Sequence, residues 1–200
     1  MKNIESTNSE EGILRKLGIK SLSDMQLEMK EAMLDGGSDV VLLSPTGSGK
    51  TLAYLLPLTN MVDAALPYVQ AVVIVPGREL ALQSHEVLKG MACGVRSMCL
   101  YGGRPAMDEH REMRRVMPQV VFATPGRLVD HLEKGNIDAR TVTLLVIDEF
   151  DKCLKMGFSA EMSKAMDLLG EVRRRFLLSA TDAPEIPSFV NMGRVRRLDY

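Results

Sequence analysis

The segment Val40-Val41-Leu42-Leu43-Ser44-Pro45-Thr46-Gly47-Ser48-Gly49-Lys50-Thr51 joins a short apolar run to a glycine-rich turn, and a stretch with helical spacing follows. Strand, loop and helix in that order form the setting in which a phosphate-binding loop works. Gly47 and Gly49 let backbone N–H groups turn inward around phosphate oxygens, where a Cβ would block the approach. The positive end of the following helix adds to that field. Lys50 is expected to reach the β- and γ-phosphates of a nucleotide, and the Thr51 hydroxyl to ligate Mg²⁺. Ser44, Pro45, Thr46 and Ser48 complete the expected nucleotide-binding loop. Ser44 stands where the general pattern has its first glycine.

Outward from this loop, short apolar runs recur at 40–43, 71–75, 97–101, 120–123, 144–147 and 176–178. Each is bounded by Gly, Pro, Ser or Asp, as buried strands are. Segments with helical spacing lie between them, at 51–65, 78–91, 107–117, 126–134 and 159–172. Strands that are apolar throughout, alternating with helices, imply an α/β domain: a mostly parallel central sheet with helices on both faces. Ligands of such sheets sit at the carboxyl ends of the strands. The reading gives a flexible tail over 1–11 and a single domain over 12–200.

The 200 residues are 46% hydrophobic and 26% charged, near globular averages, which excludes disordered, collagenous and coiled-coil chains. The net charge of −1 offers no bulk attraction for nucleic acid, so any such site must be local. No apolar run approaches the ~20 residues of a spanning helix, so no membrane segment is expected. The polar first residues lack the apolar stretch of an export signal. Cys93, Cys99 and Cys153 form no CxxC pair, which fits a reducing cytoplasm. His85, His110 and His131 are too scattered to suggest a metal cluster.

The run 144–147 leads straight into Asp148-Glu149-Phe150-Asp151. An acid ending a buried strand is costly without a cation, and Mg²⁺ is the obvious one. Asp148 is expected to hold that metal, and Glu149 to orient and deprotonate the water attacking the γ-phosphate. Two further junctions suit phosphates. Thr124-Pro125-Gly126-Arg127 offers an N-cap hydroxyl, free amides and a guanidinium at one helix start. Pro76-Gly77-Arg78 repeats the arrangement, and Gly102-Gly103 follows the third run. Together they suggest a polyanion laid across the domain, gripped with little base stacking.

The ordered set resembles the first RecA-like lobe of the DEAD-box ATP-dependent RNA helicases, over about 12–200. SPTGSGKT is similar to that family's first motif, PGRELA to its PTRELA, and Gly102-Gly103 and TPGR to two more. Asp148-Glu149-Phe150-Asp151 stands for the DEAD box, and Ser179-Ala180-Thr181 for the SAT motif. Gln26, eight residues after Gly18, falls where the family's Q motif reads adenine. The resemblance implies ATP and Mg²⁺ as cofactors, with hydrolysis carried by Lys50, Thr51, Asp148 and Glu149. It implies that Asp151 links the site to Ser179 and Thr181. Pro76, Gly77, Arg78, Gly102, Gly103, Thr124, Pro125, Gly126 and Arg127 would then hold the RNA sugar-phosphate backbone. It also implies a second RecA-like lobe as partner, supplying an arginine finger; the protein is expected to be a cytoplasmic monomer.

Phe150 replaces the family's Ala, Gly77 its Thr, and Leu22-Ser23 the usual Pro-Thr before Gln26; no ring precedes Tyr54 to stack on adenine. Loose nucleotide affinity is therefore expected, with barely any hydrolysis or unwinding by this lobe alone. Two other readings stay open: a translocase of the same superfamily acting on DNA, and a non-hydrolysing RNA- or protein-binding module. Intact Lys50, Asp148 and Glu149 oppose the second.

Overall fold

The apolar runs become strands because each can hide both faces. In the computed structural model, which describes residues 9–181 and 186–200, the strands are β1 (Asp39–Leu43), β2 (Ala71–Ile74), β3 (Ser97–Leu100), β4 (Val120–Ala123), β5 (Leu144–Ile147), β6 (Arg174–Ser179) and β7 (Val195–Asp199). They form one seven-stranded sheet in the order β3-β4-β2-β5-β6-β1-β7, and every pairing is parallel. Side chains alternate between two cores even where every residue is buried. Val40, Val73 and Val146 face one, and Val41, Ile74 and Ile147 face the other.

The first core is closed by α1 (Glu10–Lys16), α2 (Asp24–Leu34), α3 (Lys50–Met61) and α4 (Arg78–Met91), through Ile13, Met29, Tyr54 and Leu88. The second is closed by α5 (Ala106–Val116), α6 (Pro125–Glu133), α7 (Phe150–Lys155) and α8 (Ser159–Leu168), through Met113, Leu128, Cys153 and Met162. The expected α/β architecture is what the chain adopts.

Several boundaries move for local reasons. The expected tail over 1–11 falls, in residues 1–8, outside the described residues. Glu10 and Glu11 instead form the first turn of α1, whose Gly12 N–H donates to Ser9 Oγ at 3.2 Å. α3 stops at Met61 rather than 65, because Val62 is extended and the next residue, Asp63, exchanges backbone hydrogen bonds with the Gln70 amide at 2.9 and 2.8 Å. β7 is a strand that the apolar pattern did not announce. Only Leu198 is buried in it, and the arginines beside that residue suit an exposed sheet edge.

Candidate active site

The strand order sorts the loops into two groups. β5, β6 and β1 are neighbours, so Asp148, Ser179 and the 44–50 loop meet at their carboxyl ends. β3, β4 and β2 are also neighbours, bringing Gly102, Thr124 and Pro76 together beside them. β2 pairs with β5, which places the second group against the first.

Within the loop, Gly47 and Gly49 adopt φ values of +82° and +91°, left-handed backbone that favours glycine. Gly49 is also the N-cap of α3, and a Cβ there would lie 2.6 Å from Gln26 Nε2. Ser44, at the position of the missing glycine, turns its side chain inward and donates to Ser48 Oγ at 2.8 Å. Lys50 is buried, and its ammonium donates to the carbonyls of Ser44 at 2.5 Å and Pro45 at 2.7 Å. Burial lowers its pKa against the raising pull of Asp148, Glu149 and Asp151. Thr46, Gly47, Lys50, Thr51 and Asp148 line a cleft of about 360 Å³. Gln83, from α4, lines it too and carries no motif signal in the sequence.

Asp148 directly follows β5 at 2% exposure, and its Oδ1 accepts the Glu149 N–H at 2.9 Å. Burial pushes its carboxyl up to about 6, with that N–H pulling the other way and the Glu149 charge adding to the rise. Glu149 sits at φ +52°, a left-handed conformation costly for a side chain of its kind and typical of functional sites. Its carboxylate pairs with Lys152 at 2.7 Å, a contact the motif reading did not anticipate. Asp151 accepts the Thr181 hydroxyl at 3.0 Å, and Ser179 Oγ donates to the Thr181 carbonyl at 2.6 Å. The three residues expected to couple the site are thus one hydrogen-bonded chain from the first turn of α7 to the end of β6.

Gln26 is brought to the loop, but its amide is engaged. Oε1 accepts the Ser23 N–H at 2.9 Å, and Nε2 donates to the Gly49 carbonyl at 3.2 Å. The Ser23–Gln26 pair is a capping box on α2, legible as S-x-x-Q in the sequence. A base would have to displace one of these bonds to be read by this side chain.

Among the phosphate-suited junctions, Gly102, Gly103 and Gly126 are exposed, as is Arg78, whose guanidinium lies 5.1 Å over the Tyr101 ring. Gly77 and Thr124 are half-buried, while Pro76 and Pro125 are buried. Arg127 is not displayed with them. Its side chain is 15% exposed and pairs with the fully buried Glu109 at 2.8 Å. Glu109 also meets His131 Nε2 at 2.8 Å, and His131 Nδ1 lies 3.0 Å from the Asn136 amide. With the Asn136 amide donating to Nδ1, His131 Nε2 donates to Glu109, whose carboxylate is matched by Arg127. The guanidinium expected at an anion site therefore fastens α6 to α5.

No cluster of three or more His, Cys, Asp or Glu side chains that could hold a metal occurs among the described residues. The Thr51 hydroxyl and Asp148 carboxylate are hard oxygen donors on one cleft. That set fits Mg²⁺, which is commonly held by one or two protein oxygens together with nucleotide phosphates.

The sequence profile of the DEAD/DEAH box helicases matches residues 23–188. The chain is 40% identical over 171 residues to the ATP-dependent RNA helicase DeaD of Klebsiella pneumoniae, covering 84% of the chain and 26% of that protein. It is 38% identical over 196 residues to DEAD-box ATP-dependent RNA helicase 30 of Arabidopsis thaliana, covering 93% and 33%. The chain thus spans about a quarter to a third of these curated relatives. A DEAD box protein from Methanococcus jannaschii superposes with a TM-score of 0.86 at 27% identity, over 94% of this chain and 52% of that one. The DEAD-box helicase Mss116 bound to ssRNA and UDP-BeF gives 0.83 at 27% identity, over 97% and 45%.

Proposed function

The chain belongs to the DEAD/DEAH box helicase family, and from that premise we propose that it is the nucleotide-binding lobe of an ATP-dependent RNA helicase. Lys50 and the 47–51 amides hold the phosphates. Thr51 and Asp148 hold Mg²⁺, which would neutralise charge building on the transferred phosphoryl group. Glu149 orients and deprotonates the attacking water. A second RecA-like lobe closes the cleft, and the Asp151–Thr181–Ser179 chain carries the nucleotide state toward β6. The RNA backbone crosses Gly77, Arg78, Gly102, Gly103, Thr124 and Gly126, with Arg127 behind that surface as a brace. The protein acts as a monomer in the cytoplasm.

The observation that carries this reading is the convergence of Lys50, Thr51 and Asp148 on one cleft, with Glu149 beside them. RNA is favoured over DNA because the relatives are named RNA helicases. The test is ATP hydrolysis by the protein joined to its second lobe, with single-stranded RNA or DNA of one sequence. Stimulation by RNA and not by DNA supports the proposal. Equal stimulation by both moves the reading to the DNA translocase.

A further inference from the structure

At the opposite pole of the sheet, the amino ends of β1, β6 and the turn before β7 enclose a second cavity, of about 370 Å³. With about 3.3 Å per residue along a strand, it lies roughly 15–20 Å from the nucleotide cleft. Its arginines are Arg173, Arg174, Arg175 and Arg194, and its one carboxylate is Asp39. That carboxylate is buried and saturated, since one oxygen accepts the Arg175 N–H and the other the Gly193 N–H, both at 2.7 Å. Arg174 is committed elsewhere: to the Ala32 carbonyl at 3.2 Å, to Asp35 at 3.9 Å and over the Phe176 ring at 5.2 Å.

Arg173, Arg175 and Arg194 have no carboxylate partner among the described residues. The Nε of Arg175 is buried with no hydrogen-bond acceptor among the described residues. Arg175 is half-buried and Arg173 and Arg194 are exposed, so their guanidiniums, which carry only donors, are open to an acceptor entering from solvent. Asp39 is the one carboxylate lining the cavity against four arginines, and Asp35, which meets Arg174, is shared with Arg196, so the lining carries a positive excess.

We propose that this cavity is a phosphate-binding site, in which Arg173, Arg175 and Arg194 grip the phosphate group of a small free anion or of a nucleic-acid strand. Its walls come from three separate segments, 36–39, 173–175 and 191–194. A tetrahedral phosphate presents oxygens toward all three, whereas a planar carboxylate presents its two to one fork. A phosphate monoester carries about −1.5 to −2 charges at neutral pH and each phosphodiester of a strand carries one, and either is drawn to this positive lining. The nucleotide loop is a different phosphate site, built from amides and one lysine at the other end of β1.

The experiment is an ¹⁵N amide titration of the 200-residue chain with inorganic pyrophosphate, at constant ionic strength. Gly36, Gly37 and Gly193 report the cavity, and Gly47 and Gly49 report the nucleotide loop. The expected result is saturable shifts at the first three that survive Lys50→Ala and weaken about tenfold or more in Arg175→Ala/Arg194→Ala. Should that pair unfold the chain, Arg173→Ala/Arg194→Gln gives the same reading. A parallel titration with single-stranded oligouridylate identifies the source. Cavity shifts at lower concentration than with pyrophosphate point to a strand, and shifts with pyrophosphate alone point to a free anion. Shifts confined to Gly47 and Gly49, or cavity shifts equal with chloride, would overturn the proposal.

Discussion

Lys152 sets its ammonium 2.7 Å from the Glu149 carboxylate, across the first turn of α7. Lys152 is about half exposed, its side chain at 48%, so the pair contributes at most about 0.5 kcal/mol to stability. Its consequence lies in the chemistry: an oxygen holding Lys152 is not free to take a proton from water. Lys152→Ala is expected to shift the melting temperature by only about 1–2 °C. ATP turnover by the protein with its second lobe is expected to rise several-fold. Unchanged turnover would show that Lys152 does not restrain Glu149.

Asp148 gives a pH dependence of unusual sign. Its folded pKa, about 6, lies above the unfolded value of 3.8. The native state therefore binds the extra proton, and stability is lost as pH rises from about 4 through 6. Asp148→Asn should stabilise the chain at pH 7.5 without divalent cations, by on the order of 2 kcal/mol. The difference should vanish near pH 4. Urea unfolding at both pH values measures it, and a variant no more stable at pH 7.5 contradicts the burial argument.

The Asp151–Thr181 bond has the opposite sign. Burial works against the Asp151 charge, and the hydrogen bonds from Thr181, Ser179, the Ala180 N–H and Lys155 together outweigh it, so the folded pKa lies below its usual value. Thr181→Val should cost about 1 kcal/mol at pH 7. Since the bond stabilises only the ionised form, that cost should shrink as pH falls through the folded pKa. Thr181→Ser should restore the wild-type value; equal costs at pH 7 and pH 3 would refute the assignment.

Gly49 meets two constraints that a double variant separates. Its φ of +91° penalises any Cβ by about 1–2 kcal/mol, and that Cβ would lie 2.6 Å from Gln26 Nε2. Gly49→Ala should therefore destabilise the chain. In a Gln26→Ala background the cost should fall but not disappear, leaving the backbone share.

Arg127→Ala strands the Glu109 carboxylate among buried groups and should cost about 3–5 kcal/mol. Weak RNA binding in this variant would then follow from a lower melting temperature. Arg127→Ala with an unchanged melting temperature would return Arg127 to the RNA-facing surface.

The strand ends were readable because each run from 40–43 to 176–178 is apolar on both faces and stops at a chemically distinct residue. β7 escaped because an edge strand needs only Leu198 inside, so its pattern looks like loop. Glu109 and His131 lie 22 residues apart and meet only when α5 and α6 pack, a pairing that no local pattern encodes. Arg127 was visible as a guanidinium at a helix start, but its inward turn depends on Glu109. The same limit applies to Gln26, whose nearness to the loop was legible and whose engagement with Gly49 was not.

The central claim is tested most directly by titrating fluorescent ADP and GDP, with Mg²⁺, into the wild-type chain, Lys50→Ala and Gln26→Ala. The account predicts ADP binding that Lys50→Ala abolishes, because that side chain is the buried cation of the cleft. Loss of the preference for ADP in Gln26→Ala would further show that nucleotide draws its amide away from Ser23 or Gly49. Binding that Lys50→Ala leaves intact, or no binding of either nucleotide, would contradict a nucleotide site at the carboxyl ends of β1 and β5.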